Sequence, residues 1–268
     1  TERMGRKTGG LSVSRMINDV RGQFEPAAYV LVRGKAMASK FGDLTDLARD
    51  ILLTSGLNDK DRFVQMVTET KASLEASMVG SGHAIAMGRL SSQRTVAGWA
   101  SEATGGLSYY DFICELLPRA KSDWDAVRTD LLAIRSALLQ RAGAVVNLTA
   151  DAGSLTKVDG AVKGLLASLP ATATGSGTAS GLWTPTMSRT NEALVVPTQV
   201  NYVGKAVNMY QDAGYELSGA AYVISKHVGN SYLWDRVRVS GGAYGGFCDF
   251  NQHSGQFTFL SYRDPNLV

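Results

Sequence analysis

Apolar residues in this chain never run far without interruption. The longest unbroken stretch, Ala27–Val32, is six residues long, whereas a membrane-crossing helix needs roughly 20. No membrane insertion is expected, and the hydrophobic content has to be buried by packing many short segments together. Hydrophobic residues make up 44% and charged residues 19%, which favours a packed core over disorder. The length of 268 residues allows one large domain or two ordinary ones. Lys and Arg total 27 against 24 Asp and Glu, a balance of +3 that singles out no nucleic-acid partner. Cys114 and Cys248 cannot build a disulfide framework, so a reducing compartment is expected. The sequon Asn147-Leu148-Thr149 lies in an apolar stretch and reads as incidental.

The order of segments predicts an α+β fold, with helices on one face of largely antiparallel sheets. Leu11–Ser14 and Ala27–Val32 read as strands, the second as a buried one because it is continuously apolar. Asp43 or Thr45 is expected to cap a helix carrying Leu47, Ile51 and Leu52, and Asp59 or Asp61 to open the next. Helices follow around Gln93–Glu102 and Tyr109–Leu117. Ser122-Asp123-Trp124-Asp125 resembles a capping box ahead of Val127, Leu131, Ile134 and Leu138, a stripe expected to be core. Val145–Thr149 reads as a strand and Val158–Leu169 as a helix closed by Pro170.

Residues 170–181 are mostly Ala, Thr, Gly and Ser and form the one clear linker, dividing 1–169 from 182–268. Beyond it, Ala193–Val207 reads as strand, with Pro197 placing it at an edge or bulge, and Leu217–Leu233 as helix. Phe247–Phe250 and Phe257–Tyr262 read as a hairpin. There is a faint internal echo: Gly9-Gly10, a strand, a turn and a strand reaching Arg33, then Gly241-Gly242 and the same order reaching Arg263.

Histidine is scarce. His83, His227 and His253 lie far apart, none at metal-ligand spacing from another His or a Cys, so a self-contained zinc-hydrolase motif is absent. His83 reads as a satisfied structural residue, His227 as a helix-surface residue and His253 as an exposed turn residue. Cys248 has no identifiable base and reads as a small strand residue. The glycine-rich run 241–246 lacks the Gly-Lys-Ser/Thr ending of a phosphate loop. The chain begins at Thr1 without initiator methionine or targeting segment, and is read as a processed chain or a piece of a longer one.

Several contiguous motifs resemble one family. They are Gly5-Arg6-Lys7-Thr8-Gly9-Gly10, Val32-Arg33-Gly34-Lys35, Gly80-Ser81-Gly82-His83, Ala97-Gly98-Trp99, Gly105-Gly106-Leu107-Ser108-Tyr109, Val196-Pro197-Thr198-Gln199-Val200-Asn201-Tyr202-Val203-Gly204-Lys205 and the stretch Trp234–Asn266. All are similar to the organellar presequence proteases, pitrilysin-type zinc peptidases of mitochondria and chloroplasts, and closest to plant and algal forms. The resemblance runs from end to end. It implies a pitrilysin/LuxS-like fold in which two halves, each of two related domains, close around a peptide.

The resemblance further implies that 1–169 is most of the third such domain, its start missing. It makes 182–268 the first part of the fourth, its end missing. The intact protein would be a zinc metalloendopeptidase degrading cleaved targeting presequences and other short unfolded peptides in the chloroplast stroma, the mitochondrial matrix or both. Its zinc ligands and base would lie in the missing N-terminal half, with no zinc held by this chain, which is expected to be inactive alone. Arg238 and Tyr244 match the pair with which the family completes its active site, holding the substrate backbone and donating to the developing oxyanion. Taken without the resemblance, Arg238 is a solvated strand residue and Tyr244 a half-buried packing residue, and Arg236 competes for the arginine role. The alternative reading is a non-catalytic peptidase-like module for peptide binding or assembly.

Overall fold

A computed structural model describes residues 2–171 and 184–267. From 172 onward the expected linker lies outside the described residues. The fold is α+β with antiparallel sheets. Contacts group the chain into two compact units: Thr1–Met16, Tyr29–Val64 and Arg119–Ser180 in one, Ile17–Ala28, Gln65–Pro118 and Gly181–Val268 in the other.

After a short helix α1 (Glu2–Lys7), strands β1 (Leu11–Asn18) and β2 (Ala27–Gly34) form a two-stranded ribbon. Reciprocal bonds close its open end, with Gly9 N donating to Lys35 O at 2.8 Å and Lys35 N to Gly10 O at 3.2 Å. The expectation of a buried Ala27–Val32 strand is overturned: Tyr29, Val30 and Val32 are exposed. A continuous apolar run fixes strand character through its β-branched residues, but burial needs a layer to pack against.

Helix α2 (Phe41–Arg49) buries Leu44, Leu47 and Ala48 and packs on α8 (Ala152–Ser168), whose Val158 is buried. Neither Asp43 nor Thr45 caps it. The helix starts earlier, Lys40 holds the cap position without a side-chain bond, and Asp43 pairs with Lys7 at 2.6 Å. Asp59 does open α3 (Lys60–Gly80), accepting from Arg62 N at 2.9 Å. Asp123 caps α7 (Trp124–Leu138) by accepting from Ala126 N at 3.3 Å. The α7 stripe is core only at its first turns. Val127 is buried and the Trp124 ring lies 5.2 Å from Phe63, but Ile134 and Leu138 are each 55% exposed. Periodicity marks one face of a helix without supplying what covers it. Val145–Thr149 is irregular chain rather than strand, with Val145 and Val146 exposed and no ladder partner among the described residues.

The other unit is built on a three-stranded antiparallel sheet of order β3-β5-β4: β3 (Gly204–Asn208), β4 (Gly245–Phe250) and β5 (Gln256–Tyr262). Opposite pairs Cys248–Phe259 and Phe250–Phe257 share one face. Cys248, Phe250 and Phe257 cluster there with Ala221 of helix α10 (Ala220–Asn230) and with Leu233. The rings of Tyr210, Tyr215 and Tyr222 all meet Phe250 edge-on, at 5.7–6.2 Å. On the other face the polar pair Gln256 and Thr258 is buried and satisfied: Gln256 Nε2 donates to Thr258 Oγ1 and to Ser91 Oγ of helix α4 (Gly82–Ser92), both at 3.0 Å. Helices thus reach both faces of this sheet, not one.

Helices α5 (Val96–Gly105) and α6 (Leu107–Ser122) are joined by buried Glu102, which accepts from Leu107 N at 2.8 Å and from Arg89 at 3.2 Å. The carboxylate thereby satisfies free donors at the start of α6. Arg89 also grips Glu192 at 2.7 Å, and that pairing holds its guanidinium pKa above the usual value. Glu192 anchors the irregular segment that precedes β3. The strand expected over Ala193–Val207 forms only at Gly204–Asn208. Pro197 has no N–H to give a ladder, Val195 is wholly exposed, and Asn201 bridges Asp264 alone. After β3, buried Asn208 caps the short helix α9 (Met209–Ala213), accepting from Tyr210 N and Gln211 N at 3.1 Å each. The helix expected over Leu217–Leu233 starts later, as α10, and after a turn at Ser231 is helical again at Tyr232 and Leu233.

Candidate functional site

The segment after α10 departs from α geometry. Trp234–Ser240 winds as a π-helix, a wider turn than α that occurs mostly in short pieces and often at functional sites. Gly242 N donates to Arg238 O at 3.0 Å and Ala243 N to Val237 O at 3.1 Å as the turn closes. Gly241 and Gly242 make that closure feasible. A side chain at 241 would lie 2.6 Å from the Val237 carbonyl oxygen, and Gly242 sits at φ +78°. Tyr244 then enters the sheet edge, its N–H donating to Tyr262 O at 3.0 Å.

This arrangement brings the two expected site residues together. The Arg238 guanidinium stacks 4.3 Å from the centroid of the Trp234 ring and 5.5 Å from that of Tyr244. Tyr244 is 65% exposed and its ring meets Tyr262 edge-on at 5.8 Å. Tyr262 in turn receives the His83 ring at 4.8 Å and the Tyr202 ring at 5.7 Å. Arg238 belongs to a π-helix, not the strand that the residues alone suggested. Arg236 shares that turn, but among the described residues only Arg238 stacks on Trp234 and Tyr244. Trp234 was not singled out from the sequence; its spacing of four from Arg238, which makes neighbours on a helical face, is the signal that could have found it.

Chemically, a guanidinium held by its face keeps its in-plane N–H donors at the edge, aimed for carbonyl or carboxylate oxygens. An exposed phenol supplies one more donor, suited to an oxygen that gains charge.

The other expected residues fall elsewhere. His227 is exposed on α10 and His253 is exposed in the β4–β5 turn, as the sequence suggests. His83 is packed between aromatic rings, but its Nδ1 is buried without a hydrogen-bond partner, so it is not fully satisfied. Cys248 is buried in the sheet core, and burial pushes its thiol up to about 11, which suits packing and not nucleophilic attack. Among the described residues no three His, Cys, Asp or Glu side chains gather where a metal ion would bind. No helix among them is long and apolar enough to cross a membrane.

Comparison with known proteins matches residues 191–268 to the family model described as PreP C-terminal domain and residues 1–116 to the one described as Peptidase M16C associated. Presequence protease 1, chloroplastic/mitochondrial, of Arabidopsis thaliana is 50% identical over 99% of this chain and 24% of its own length. Protein HypA of Clostridium perfringens is 30% identical over 97% of the chain and 26% of its own. The mitochondrial presequence protease of Mus musculus is 26% identical over 98% of the chain and 28% of its own. The α+β units and these matches define a segment of the M16-type peptidases. Within that class the chain belongs to the presequence protease family. It spans about a quarter of the length of the curated relatives it matches.

Proposed function

We propose that this chain is part of a zinc metalloendopeptidase that degrades cleaved targeting presequences and other short unfolded peptides. The setting is the chloroplast stroma, the mitochondrial matrix or both. Residues 1–169 form most of the third peptidase-like domain and 182–268 the first part of the fourth. The two family-model ranges, which fall on either side of the linker, support that division. The chain lines the peptide chamber, and the zinc ligands and base belong to the N-terminal half of the longer protein. That metal would polarise the scissile carbonyl and activate water.

One observation carries the reading: Arg238 and Tyr244, six apart in sequence, share one exposed face, ring against guanidinium at 5.5 Å. Arg238 holds a backbone carbonyl of the bound peptide with charge-assisted bonds, which orients the chain. The Tyr244 hydroxyl donates to the scissile carbonyl oxygen as negative charge builds on it. Removing one such donor costs about 3–4 kcal/mol. In the full-length enzyme, Tyr244→Phe should therefore lower kcat by about two to three orders of magnitude with little change in KM. Arg238→Ala should raise KM as well as lower kcat. Unchanged turnover in both variants, measured on a fluorogenic presequence peptide, would remove the pair from the site.

A further inference from the structure

We propose that Trp234 is a positioning residue for Arg238. The inference rests on the functional reading above. Among the described residues, no hydrogen bond or ion pair holds the Arg238 guanidinium; its contacts are the Trp234 face at 4.3 Å and the Tyr244 face at 5.5 Å. The nearer ring is a π-helical turn away on the same segment, and indole is the strongest of the aromatic faces toward a cation.

The consequence concerns the donors. An ion pair would occupy the guanidinium edge and compete with substrate. A stack occupies only the face, so every N–H remains available in a plane that the indole fixes. A long, exposed Arg side chain otherwise carries rotamer freedom that substrate binding would have to remove. Trp234 removes it beforehand, and its own 47% exposure leaves the other ring surface to water or peptide.

The test uses the full-length enzyme. Trp234→Leu keeps apolar bulk and removes the cation-binding face, so kcat/KM should fall about tenfold. Trp234→Phe keeps an aromatic face and should recover most of that loss. In an Arg238→Met background, Trp234→Leu should cost nothing further, because there is no guanidinium left to position. An equal loss in both backgrounds shows a merely structural role and overturns the proposal. So does the absence of loss in Trp234→Leu.

A readout independent of turnover separates the stack from the site. The emission of Trp234, taken as the difference between the enzyme and its Trp234→Phe variant, should shift on Arg238→Met. No shift, with Arg238→Met impaired, overturns the stack alone. A shift with normal turnover in Arg238→Met overturns the functional reading and with it the positioning role.

Discussion

The β1–β2 ribbon and the β3-β5-β4 sheet are both antiparallel ladders of comparable strand length, yet they differ in what covers them. In the ribbon Val13, Tyr29, Val30 and Val32 face solvent. In the sheet the central strand β5 buries both faces, Phe257 against the aromatic cluster and Thr258 as the hydrogen-bond partner of Gln256. Backbone bonding therefore makes the strand, and the second layer makes the core. The site hangs from the buried ladder: Tyr244 enters β4 directly and its N–H is held by Tyr262 at the end of β5. The stack of exposed rings is thereby tied to a hydrogen-bonded ladder.

The sharpest test of this contrast is Phe250→Ala. Three tyrosine rings and Phe257 surround Phe250, so its loss leaves a cavity that the aromatic cluster cannot close without moving. A loss of about 3–5 kcal/mol is expected in denaturant unfolding. A loss below ~1 kcal/mol would erase the distinction between the two ladders.

Cys248 probes the same core by pH. Its thiol is raised from 9.0 to about 11, first by burial and then by the neighbouring Asp249 carboxylate. The unfolded chain releases this proton near pH 9, whereas the folded chain keeps it to about 11. The folded state binds more protons in that window, so stability falls as pH rises through it. Denaturation midpoints measured on either side of pH 9–11 should show the decline, and Cys248→Ala should flatten it. Alkylation near neutral pH should be about a hundredfold slower than for an ordinary thiol.

Much of this was legible in the sequence, for reasons that differ by element. The β4–β5 hairpin was readable because Phe247–Phe250 and Phe257–Tyr262 alternate about a short polar turn, and local pattern decides a hairpin. The starts of α3 and α7 were readable because a cap acts within three residues: Asp59 was one of two candidates, and the Ser122–Asp125 box located α7 although Asp123, its second residue, makes the cap. Burial was not readable. Ala27–Val32 and Val145–Thr149 carry strand-forming residues, but whether a segment is covered, or even paired, depends on chain far away in sequence. Arg238 and Tyr244 were found by motif resemblance; their joint orientation depends on a π-helical phase that no apolar periodicity encodes. Trp234 was missed for that reason, although it sits four residues before Arg238.

Turns give a finer comparison. Gly22 in the β1–β2 loop and Gly242 before β4 both sit at φ +78°. An alanine at either position should cost about 1–2 kcal/mol, since the left-handed region penalises a Cβ. The two variants should match in unfolding and separate in catalysis. Gly242→Ala displaces the closure between Arg238 and Tyr244 and should lower turnover of the full-length enzyme, whereas Gly22→Ala should leave it unchanged. Equal turnover in both would mean that the loop tolerates the shift and that the Arg238–Tyr244 geometry is not set there.

The smallest effect is the most informative about the ribbon. Val30→Thr keeps the β-branched shape that suits a strand and exchanges one methyl for a hydroxyl. At a residue 46% exposed, that hydroxyl stays in water, and the stability change should lie within about 0.5 kcal/mol. The same substitution under a covering layer would bury an unpaired hydroxyl and cost about 1–3 kcal/mol. The measurement therefore reads coverage directly. A cost near the upper figure in the longer protein, with none in the isolated chain, would mean that the ribbon is the foundation of an interface with residues outside this segment, and that its resemblance to the buried sheet is completed only there.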